Sequence, residues 1–209
     1  MSMNIAVVAA SGRSGKVFVE DALKAGHSIS AGAHNANTLS PHPRLVVVEC
    51  DATKKRDVEN LIRGQDAVVS LIGHVKGSPR RVQTDAMNIL HQAMRAEGID
   101  RLVSLTGTGV RFPGDNVSIV DRILNGAIMI IDPQRIQDGK EHVELLQKSD
   151  LDWTVIRVLK LQNTNPKPFR LRLHGPAKWI VGRKEVAQAI LRVLEERSFS
   201  KKAPIIGRR

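Results

Sequence analysis

A turn of small residues near the N-terminus has the composition of a phosphate-binding loop. Its sequence is Ala9-Ala10-Ser11-Gly12-Arg13-Ser14-Gly15, and it follows an apolar run, residues 4–9, that predicts a buried strand. Residues 16–25 have apolar side chains at helical spacing, and Gly26 is expected to end that helix. A phosphate reaches the free N–H groups at the start of a helix only where the nearby side chains are very small.

The spacing of the glycines indicates a dinucleotide. Gly12 and Gly15 occupy the last two glycine positions of a G-x-x-G-x-x-G turn, and Ala9 stands at the first. An isolated turn of this kind could also be a packing turn that binds no ligand. Here the turn lies between a strand and a helix at the start of a βαβ pattern, and that context favours a dinucleotide site. We therefore predict that the cofactor phosphates contact Ala10, Ser11, Gly12, Arg13, Ser14 and Gly15.

The end of the second predicted strand discriminates between the two nicotinamide dinucleotides. NAD-specific sites place an acidic residue there to bind the ribose 2′-hydroxyl. The sequence Gly32-Ala33-His34-Asn35 contains no acidic residue. Arg13 in the turn and His34, with Asn35 beside it, are instead suited to face a 2′-phosphate, which arginine binds well. We predict a preference for NADPH over NADH; the alternative is that His34 is a surface histidine.

Apolar strands alternate with amphipathic helices along the whole chain. This alternation predicts an α/β fold of the Rossmann type, a doubly wound parallel sheet with helices on both faces and strand order 3-2-1-4-5-6. Residues 107–133 and 159–182 interrupt the alternation. We expect them to lie over the carboxyl edge of the sheet, where they form a small substrate-binding lobe of a single domain covering residues 1–209.

Predicted bounds can be set for each element. After the first strand, the strands are expected at 28–33, 45–49, 66–72, 102–105 and 153–158. After the first helix, the helices are expected at 54–63, 80–97, 134–149 and 183–197.

The composition limits the partners. The formal net charge is +11, but the basic residues are scattered and aromatic residues make up only 3%, so base stacking and nucleic-acid binding are not expected. The excess positive charge fits an anionic cofactor and an anionic small-molecule substrate. No apolar run approaches the roughly 18–20 residues of a membrane span, and Cys50 is the only cysteine. We expect a cytoplasmic protein, monomeric or homodimeric, that binds neither membranes nor metal.

Sequence blocks along the chain carry a family resemblance. The chain resembles the NAD(P)H-binding, NmrA-like group of atypical short-chain dehydrogenases/reductases, and within it is most similar to the biliverdin reductase B (flavin reductase) type. The blocks are AASGRSG (9–15), CDAT (50–53), GQDAVVSLIG (64–73), DRLVSLTGTG (100–109), SDLDWTVIRV (149–158) and VGRKEVAQAIL (181–191).

The resemblance implies further contacts with the cofactor. It places Asp51 and Ala52 by the adenine, and Leu71, Ile72 and Gly73 along the ribose and pyrophosphate. It places Thr106 and Gly107 at the nicotinamide, with Val158 nearby at the end of strand six. The chain departs from the resembled pattern at four positions: Ala9 replaces a glycine, His34 an arginine, Gly107 a serine and Val158 a proline.

The chain contains no tyrosine, so the Tyr-x-x-x-Lys acid–base pair of the wider superfamily is impossible. Thr106, Lys140 and His142 are the remaining catalytic candidates. By resemblance, Lys140 holds the nicotinamide ribose; otherwise it is an exposed lysine. His142 is a candidate proton donor or a surface histidine, and His74, after the fourth strand, is a weaker candidate for a substrate contact.

The resemblance implies hydride transfer to a conjugated, aromatic acceptor such as a flavin, a quinone or a linear tetrapyrrole, which takes its proton from solvent. The two interrupting regions contain apolar residues and cations that fit such an acceptor or a minor core of their own. The alternative function is a non-catalytic NAD(P)-binding redox sensor of the NmrA type. A nucleotide-sugar or isoprenoid-type reductase is disfavoured by the absent tyrosine.

Overall fold

The computed structural model describes residues 2–35, 38–75 and 77–208. Its strands are β1 (Asn4–Val8), β2 (Ser28–Ala33), β3 (Leu45–Glu49), β4 (Ala67–Ser70), β5 (Arg101–Gly107), β6 (Asp152–Val158), β7 (Lys160–Gln162), β8 (Phe169–Arg172), β9 (Ile180–Gly182) and β10 (Ile205–Arg208). Its helices are α1 (Arg13–Lys24), α2 (Lys55–Ile62), α3 (Val82–Glu97), α4 (Ile119–Ile131), α5 (Pro133–Lys148) and α6 (Arg183–Glu195).

The main sheet has the strand order β3-β2-β1-β4-β5-β6-β10-β8, so the predicted order of the first six strands is confirmed. These strands are parallel, and β8 joins the far edge antiparallel to β10. The chain reverses its direction of winding between β1 and β4. The carboxyl ends of the strands open a crevice at that point, where α/β proteins bind their ligands.

Helices cover both faces of the sheet, as the continuous apolar strands predict. The side chains of Ile5 and Val7 face a core shared with α1 and α6, whereas Ala6 and Val8 face a core shared with α2, α3 and α5. Each of these four residues is at most 1% exposed. The period-two alternation of a strand sends successive side chains to opposite faces, so both must be apolar here.

Helix α1 begins at Arg13, three residues before the predicted start. Gly12 is its N-cap, and Lys16 N donates to Gly12 O at 2.9 Å. The last three residues of the small-residue turn therefore form the first turn of the helix. At the other end Gly26 has φ +97°, which suits a glycine directly after a helix.

The two regions expected to form a substrate lobe contain regular elements instead. Residues 107–133 include helix α4, and residues 159–182 include β7, β8 and β9. Only β7 and β9 pair as a separate two-stranded sheet, whereas β8 extends the main sheet through β10. Both regions contribute residues to the carboxyl edge of the sheet, and they do so partly through regular elements. The short strands β7, β8 and β10 gave no clear periodic signal, and their pairing depends on residues far apart in sequence.

Helix α4 buries polar side chains and exposes apolar ones, the reverse of the usual helix pattern, which explains why it was not predicted. Ser118 caps it by accepting from Asp121 N at 3.1 Å. Its buried residues are polar, because Asp121 pairs with Arg111 and Asn125 donates to Thr108 Oγ1 at 3.0 Å. Five of its large apolar side chains are instead exposed: Ile119, Ile123, Met129, Ile130 and Ile131. Among the helices of the described residues, none combines the length and apolar character needed to cross a bilayer.

A buried arginine on β6 fixes the segment between β5 and α4. Arg157 is 1% exposed and forms two hydrogen bonds to the Asp115 carboxylate, at 2.5 and 2.8 Å. Its other bonds go to backbone oxygens, and its guanidinium lies over the Phe112 ring. Burial would raise the pKa of Asp115, but the hydrogen bonds from Arg157 and the Phe112 N–H, together with the charge of Arg157, lower it.

Candidate functional site

A cleft of about 1190 Å³ opens at the carboxyl edge of the sheet, where the connections that follow β1 and β4 lead to opposite faces. Most of the residues predicted to bind the cofactor line this one cleft. They are Ser11, Gly12, Arg13, Ser14, His34, Asp51, Ala52, Leu71, Ile72, Gly73, Thr106, Gly107 and Val158. Residues separated by up to about 150 positions in sequence thus meet because the parallel strands all end at the same edge.

The small-residue turn presents its backbone to the cleft. Gly12 N donates to Ala9 O at 3.0 Å, which closes the turn, and exposed Gly12 leaves the start of α1 open. The free N–H groups and the dipole of α1 favour an anion at this point. Two predicted contacts lie beneath the surface rather than on it: Ala10, which donates to Gly32 O at 2.9 Å, and buried Gly15.

Gly15 is required by packing. A Cβ at this position would lie within about 2.5 Å of the Ala10 carbonyl oxygen and equally close to that of Ala9. Both obstacles are backbone atoms, which move only if the turn itself moves. Gly15 therefore allows α1 to pack directly on the turn, and the prediction that it contacts the cofactor is not supported by its position.

Ala9 has a left-handed backbone conformation, with φ +60°. Alanine in this region costs about 1–2 kcal/mol relative to its preferred conformations. We expect Ala9→Gly to raise the free energy of unfolding by about 0.5 kcal/mol, because greater freedom of the unfolded chain offsets part of the gain. Urea unfolding of the variant measures this change.

Ala10→Gly is the matched control, since Ala10 is buried and is not among the described residues with positive φ. It should destabilise the protein. If Ala9→Gly destabilised it equally, the strain at Ala9 would be disproved.

At the far end of the cleft, near β2 and β3, the acidic side chain of Asp51 and the imidazole of His34 both line the wall. Asp51 accepts hydrogen bonds from Thr53 N at 3.0 Å and Thr53 Oγ1 at 2.7 Å. The Thr53 side-chain and backbone hydrogen bonds are the main causes that lower the pKa of Asp51, and the nearby charge of His34 contributes. Asn35 is exposed and does not line the cleft, although it has an interaction of its own.

Arg183, a residue that the sequence analysis did not select, also lines the cleft. It is 7% exposed at the first position of α6, and its Nη1 donates to Asn163 Oδ1 at 2.7 Å. Its Nε is buried without a hydrogen-bond partner. Burial and then the nearby charge of Arg13 lower the pKa of Arg183. Two arginines at two converging helix N-termini form an arrangement that an anion would stabilise.

Two catalytic candidates on α5 lie away from the cleft. Lys140 lines a separate pocket with Arg111, Phe112 and Met129, so its position does not support the predicted contact with the nicotinamide ribose. His142 is 2% exposed and its Nε2 lies 3.1 Å from Ser104 Oγ. Burial lowers the pKa of His142 to about 4. Inaccessible and neutral at pH 7, His142 does not fit the proton-donor role considered for it.

The surface of α5 that does face the cleft was not selected from sequence. Arg135 lines the cleft, and Asp138 is buried behind His74, which also lines it. Gly139 packs on Thr106, since a Cβ there would lie 2.7 Å from Thr106 Oγ1. The sequence contains only a weak signal for this surface. The spacing of Arg135, Asp138 and Gly139 puts them on one face of the helix, but it does not say whether that face meets the cleft.

The side chains of the interrupting regions divide among three pockets. Ile128 and Lys160 line the cleft, whereas Arg111, Phe112 and Met129 line the pocket that contains Lys140. A third pocket includes Lys167, Phe169 and Arg170. Of the two alternatives left open for these regions, a surface for the acceptor therefore fits only the part that lines the cleft.

Solved structures share this fold. A short-chain dehydrogenase/reductase from Veillonella parvula superimposes with a TM-score of 0.84 at 17% identity, covering 100% of this chain and 95% of that one. A short-chain dehydrogenase/reductase from the same organism, in complex with NADP, has a TM-score of 0.82 at 17% identity, covering 99% and 95%. A candidate NADH-flavin reductase from Streptococcus pneumoniae has a TM-score of 0.80 at 18% identity, covering all of both chains.

Sequence comparison identifies the family. An uncharacterized chloroplastic protein of Arabidopsis thaliana is 26% identical over 176 residues, a match that covers 77% of this chain and 60% of that protein. This chain thus spans less than two thirds of that relative. The NAD(P)H-binding family matches residues 9–197, which include the small-residue turn and every cleft residue described above. Because this match covers nearly the whole sequence, the chain belongs to the NAD(P)H-binding family.

Proposed function

We propose that the protein is an NADPH-dependent reductase that delivers hydride to a conjugated small-molecule acceptor of the flavin, quinone or linear tetrapyrrole type. One observation carries the proposal: a single cleft joins a phosphate-binding turn to an apolar wall. A bound nicotinamide dinucleotide would supply the hydride. The protein would orient the two reactants and exclude water from between them.

The residues present fit the dinucleotide. The first backbone N–H groups of α1, which follow Gly12, are not capped by the side chain of the N-cap residue, and Arg183 has a buried, unpaired Nε on the same cleft. Both features suit the pyrophosphate, which lies at such a helix N-terminus in Rossmann-type folds. Thr106 and Gly107, at the carboxyl end of β5, would border the nicotinamide.

The preference for NADPH rests on charge. The end of β2 has no carboxylate to bind a ribose 2′-hydroxyl, and exposed His34 lies there beside the cleft. Exposed Arg13 forms no ion pair among the described residues and is free to bind a phosphate. Asp51 is the acidic group at this end of the cleft, and its Oδ1 is already occupied by Thr53. The structural relative from Veillonella parvula in complex with NADP is consistent with this preference.

The acceptor is proposed from the opposite end of the cleft. Its wall there is formed by apolar residues of α4, namely Leu124, Ala127, Ile128 and Ile131. The exposed cations Arg135 and Lys160 lie at the same cleft. An apolar wall with cations beside it suits a flat aromatic ring system that has phosphate or carboxylate substituents.

Titration of the purified protein with NADPH and NADH, followed by NADPH consumption at the nicotinamide absorbance band, tests the proposal. FMN and a soluble quinone serve as acceptors. Tight NADPH binding with steady consumption supports the reductase. Tight binding without consumption of any acceptor contradicts it and supports the alternative, a redox sensor.

Arg13→Gln tests the coenzyme preference. Loss of a charge-assisted bond to the 2′-phosphate is expected to cost about 1.5–3 kcal/mol, which is roughly a 10- to 100-fold increase in the dissociation constant for NADPH. The constant for NADH should change much less, because NADH has no 2′-phosphate. Fluorescence titration of both coenzymes measures the difference.

Arg170→Gln is the control, since Arg170 lies at the third pocket on exposed β8. It should leave both constants unchanged. Equal weakening of NADPH and NADH by Arg13→Gln would remove Arg13 from the 2′-phosphate.

A further inference from the structure

A buried carboxylate and a cleft-lining imidazole form a pair at the nicotinamide end of the cleft. Asp138, on α5, is 1% exposed, and its Oδ2 lies 2.8 Å from His74 Nε2. The His74 side chain is 9% exposed and its ring forms part of the cleft wall. We propose that His74 is the acid that protonates the reduced acceptor and that Asp138 is its positioning residue. This inference rests on the proposed reductase function.

Four hydrogen-bonding groups converge on the Asp138 carboxylate. Its Oδ1 accepts from Thr84 N at 2.9 Å and from Thr84 Oγ1 at 2.6 Å. Its Oδ2 accepts from Gln83 N at 2.9 Å in addition to His74. These N–H groups belong to the first turn of α3, where the helix dipole also stabilises a negative charge.

This carboxylate sets the orientation and the tautomer of His74. An ionised carboxylate accepts hydrogen bonds only, so Nε2 of His74 must be the protonated nitrogen that donates to it. Among the described residues, none forms a hydrogen bond with His74 Nδ1. Nδ1 is therefore the nitrogen left for a group in the cleft, and a neighbouring carboxylate stabilises the imidazolium form that can donate from it.

His74 also lies where the proton is needed. It follows β4, the strand beside β5, and β5 ends at Thr106 and Gly107 on the same edge of the sheet. Gln83 links the two strands, because its Nε2 donates to Ile72 O at 2.8 Å and lies 3.4 Å from Leu105 O. The ring is thus positioned by backbone that also forms the nicotinamide end of the cleft.

The other titratable side chains of the cleft do not fit the role. His34, Asp51 and Cys50 line its opposite end, and burial is the main cause that raises the pKa of Cys50 to about 11. The guanidinium of Arg135 and the ammonium of Lys160, which also line the cleft, belong to groups that donate protons poorly near neutrality. With tyrosine absent from the chain, His74 supplies the imidazole at this end of the cleft, and imidazole is the side-chain group best suited to proton transfer near neutrality.

The step balances with one hydride and one proton. A bound nicotinamide dinucleotide would supply the hydride, which would bring two electrons to a ring atom or carbonyl carbon of the acceptor. The negative charge that develops on the acceptor oxygen or nitrogen takes the Nδ1 proton of the His74 imidazolium. His74 becomes neutral, still bonded to Asp138 through Nε2, and regains its proton from solvent.

The first test is the tautomer of His74 in the protein without cofactor, measured by nitrogen-15 NMR of the histidine rings. The neutral ring should carry its proton on Nε2. Asp138→Asn should weaken the preference for Nε2, because a neutral amide oxygen is a poorer acceptor for the His74 N–H than a carboxylate oxygen. Asp150→Asn, which alters the surface pair of His91 and Asp150, should leave His74 unchanged. A wild-type ring protonated on Nδ1 would overturn the assigned role of Asp138.

The second test is turnover of His74→Gln, whose amide can still donate to Asp138 but supplies no acid. With a quinone acceptor, kcat is expected to fall roughly 100-fold or more while the dissociation constant for NADPH stays within about twofold. The melting temperature reports whether the variant is folded. If the wild type turns over and the folded variant keeps its kcat, the acid role is overturned alone. If the wild type consumes no NADPH with any acceptor, the proposed reductase itself is overturned.

Discussion

Valine in place of Gly12 is expected to raise the dissociation constant for NADPH by roughly 100-fold or more, while the protein remains folded. The side chain would fill the space where the pyrophosphate meets the first N–H groups of α1, and loss of two such charge-assisted bonds corresponds to at least about 3 kcal/mol. Gly12 has φ −67°, which any residue adopts. Its added Cβ would lie 3.1 Å from Ala9 O, a contact that a small adjustment relieves.

Gly15→Ala is the informative comparison. It should lower the free energy of unfolding, whereas Gly12→Val should mainly weaken NADPH binding. Its Cβ would meet two backbone carbonyl oxygens, so the turn and α1 must move apart, at a cost of about 1–3 kcal/mol in the free energy of unfolding. Urea unfolding and NADPH titration of both variants measure the two quantities. NADPH bound by folded Gly12→Val with unchanged affinity would refute the assignment of the turn to the cofactor.

Acid is expected to destabilise the protein through His142. The pKa of this residue is about 4 in the folded protein, against an ordinary value of 6.5, and burial is the main cause. The unfolded chain therefore binds the extra proton first as the pH falls. The stability contributed by neutral His142 is fully present above pH 6.5 and is lost between pH 6.5 and pH 4. At pH 5 the loss amounts to about 2 kcal/mol.

Urea unfolding of His142→Gln at pH 7 and pH 5 isolates this contribution. Glutamine does not titrate and can still bond Ser104, so the variant should lose about 2 kcal/mol less than the wild type between the two pH values. His174→Gln removes an exposed histidine and should retain the wild-type difference. A pH dependence identical in His142→Gln and wild type would show that His142 is accessible to protons in the folded state.

The parallel fold and the cofactor end of the cleft could be predicted because their signals are local. Val7 and Val8 lie in a continuous apolar run, which predicts a strand covered on both faces. Gly12 follows that strand directly and opens a helix, so the sequence order alone brings a backbone anion site to the carboxyl edge. Alternation of strands with helices then restricts the connections enough to predict the order of the first six strands.

The sequence by itself therefore determined the family, the strand order and the turn at the start of α1. Only the tertiary structure decided which face of α5 meets the cleft. Successive residues of a helix point about 100° apart, so Asp138, Gly139 and Lys140 project in three different directions, and only packing against α3 and β5 selects among them. That packing buries Asp138 behind His74 and directs Lys140 to another pocket. Arg183 likewise reaches Arg13 only because α6 packs on α1, 170 residues from it in sequence.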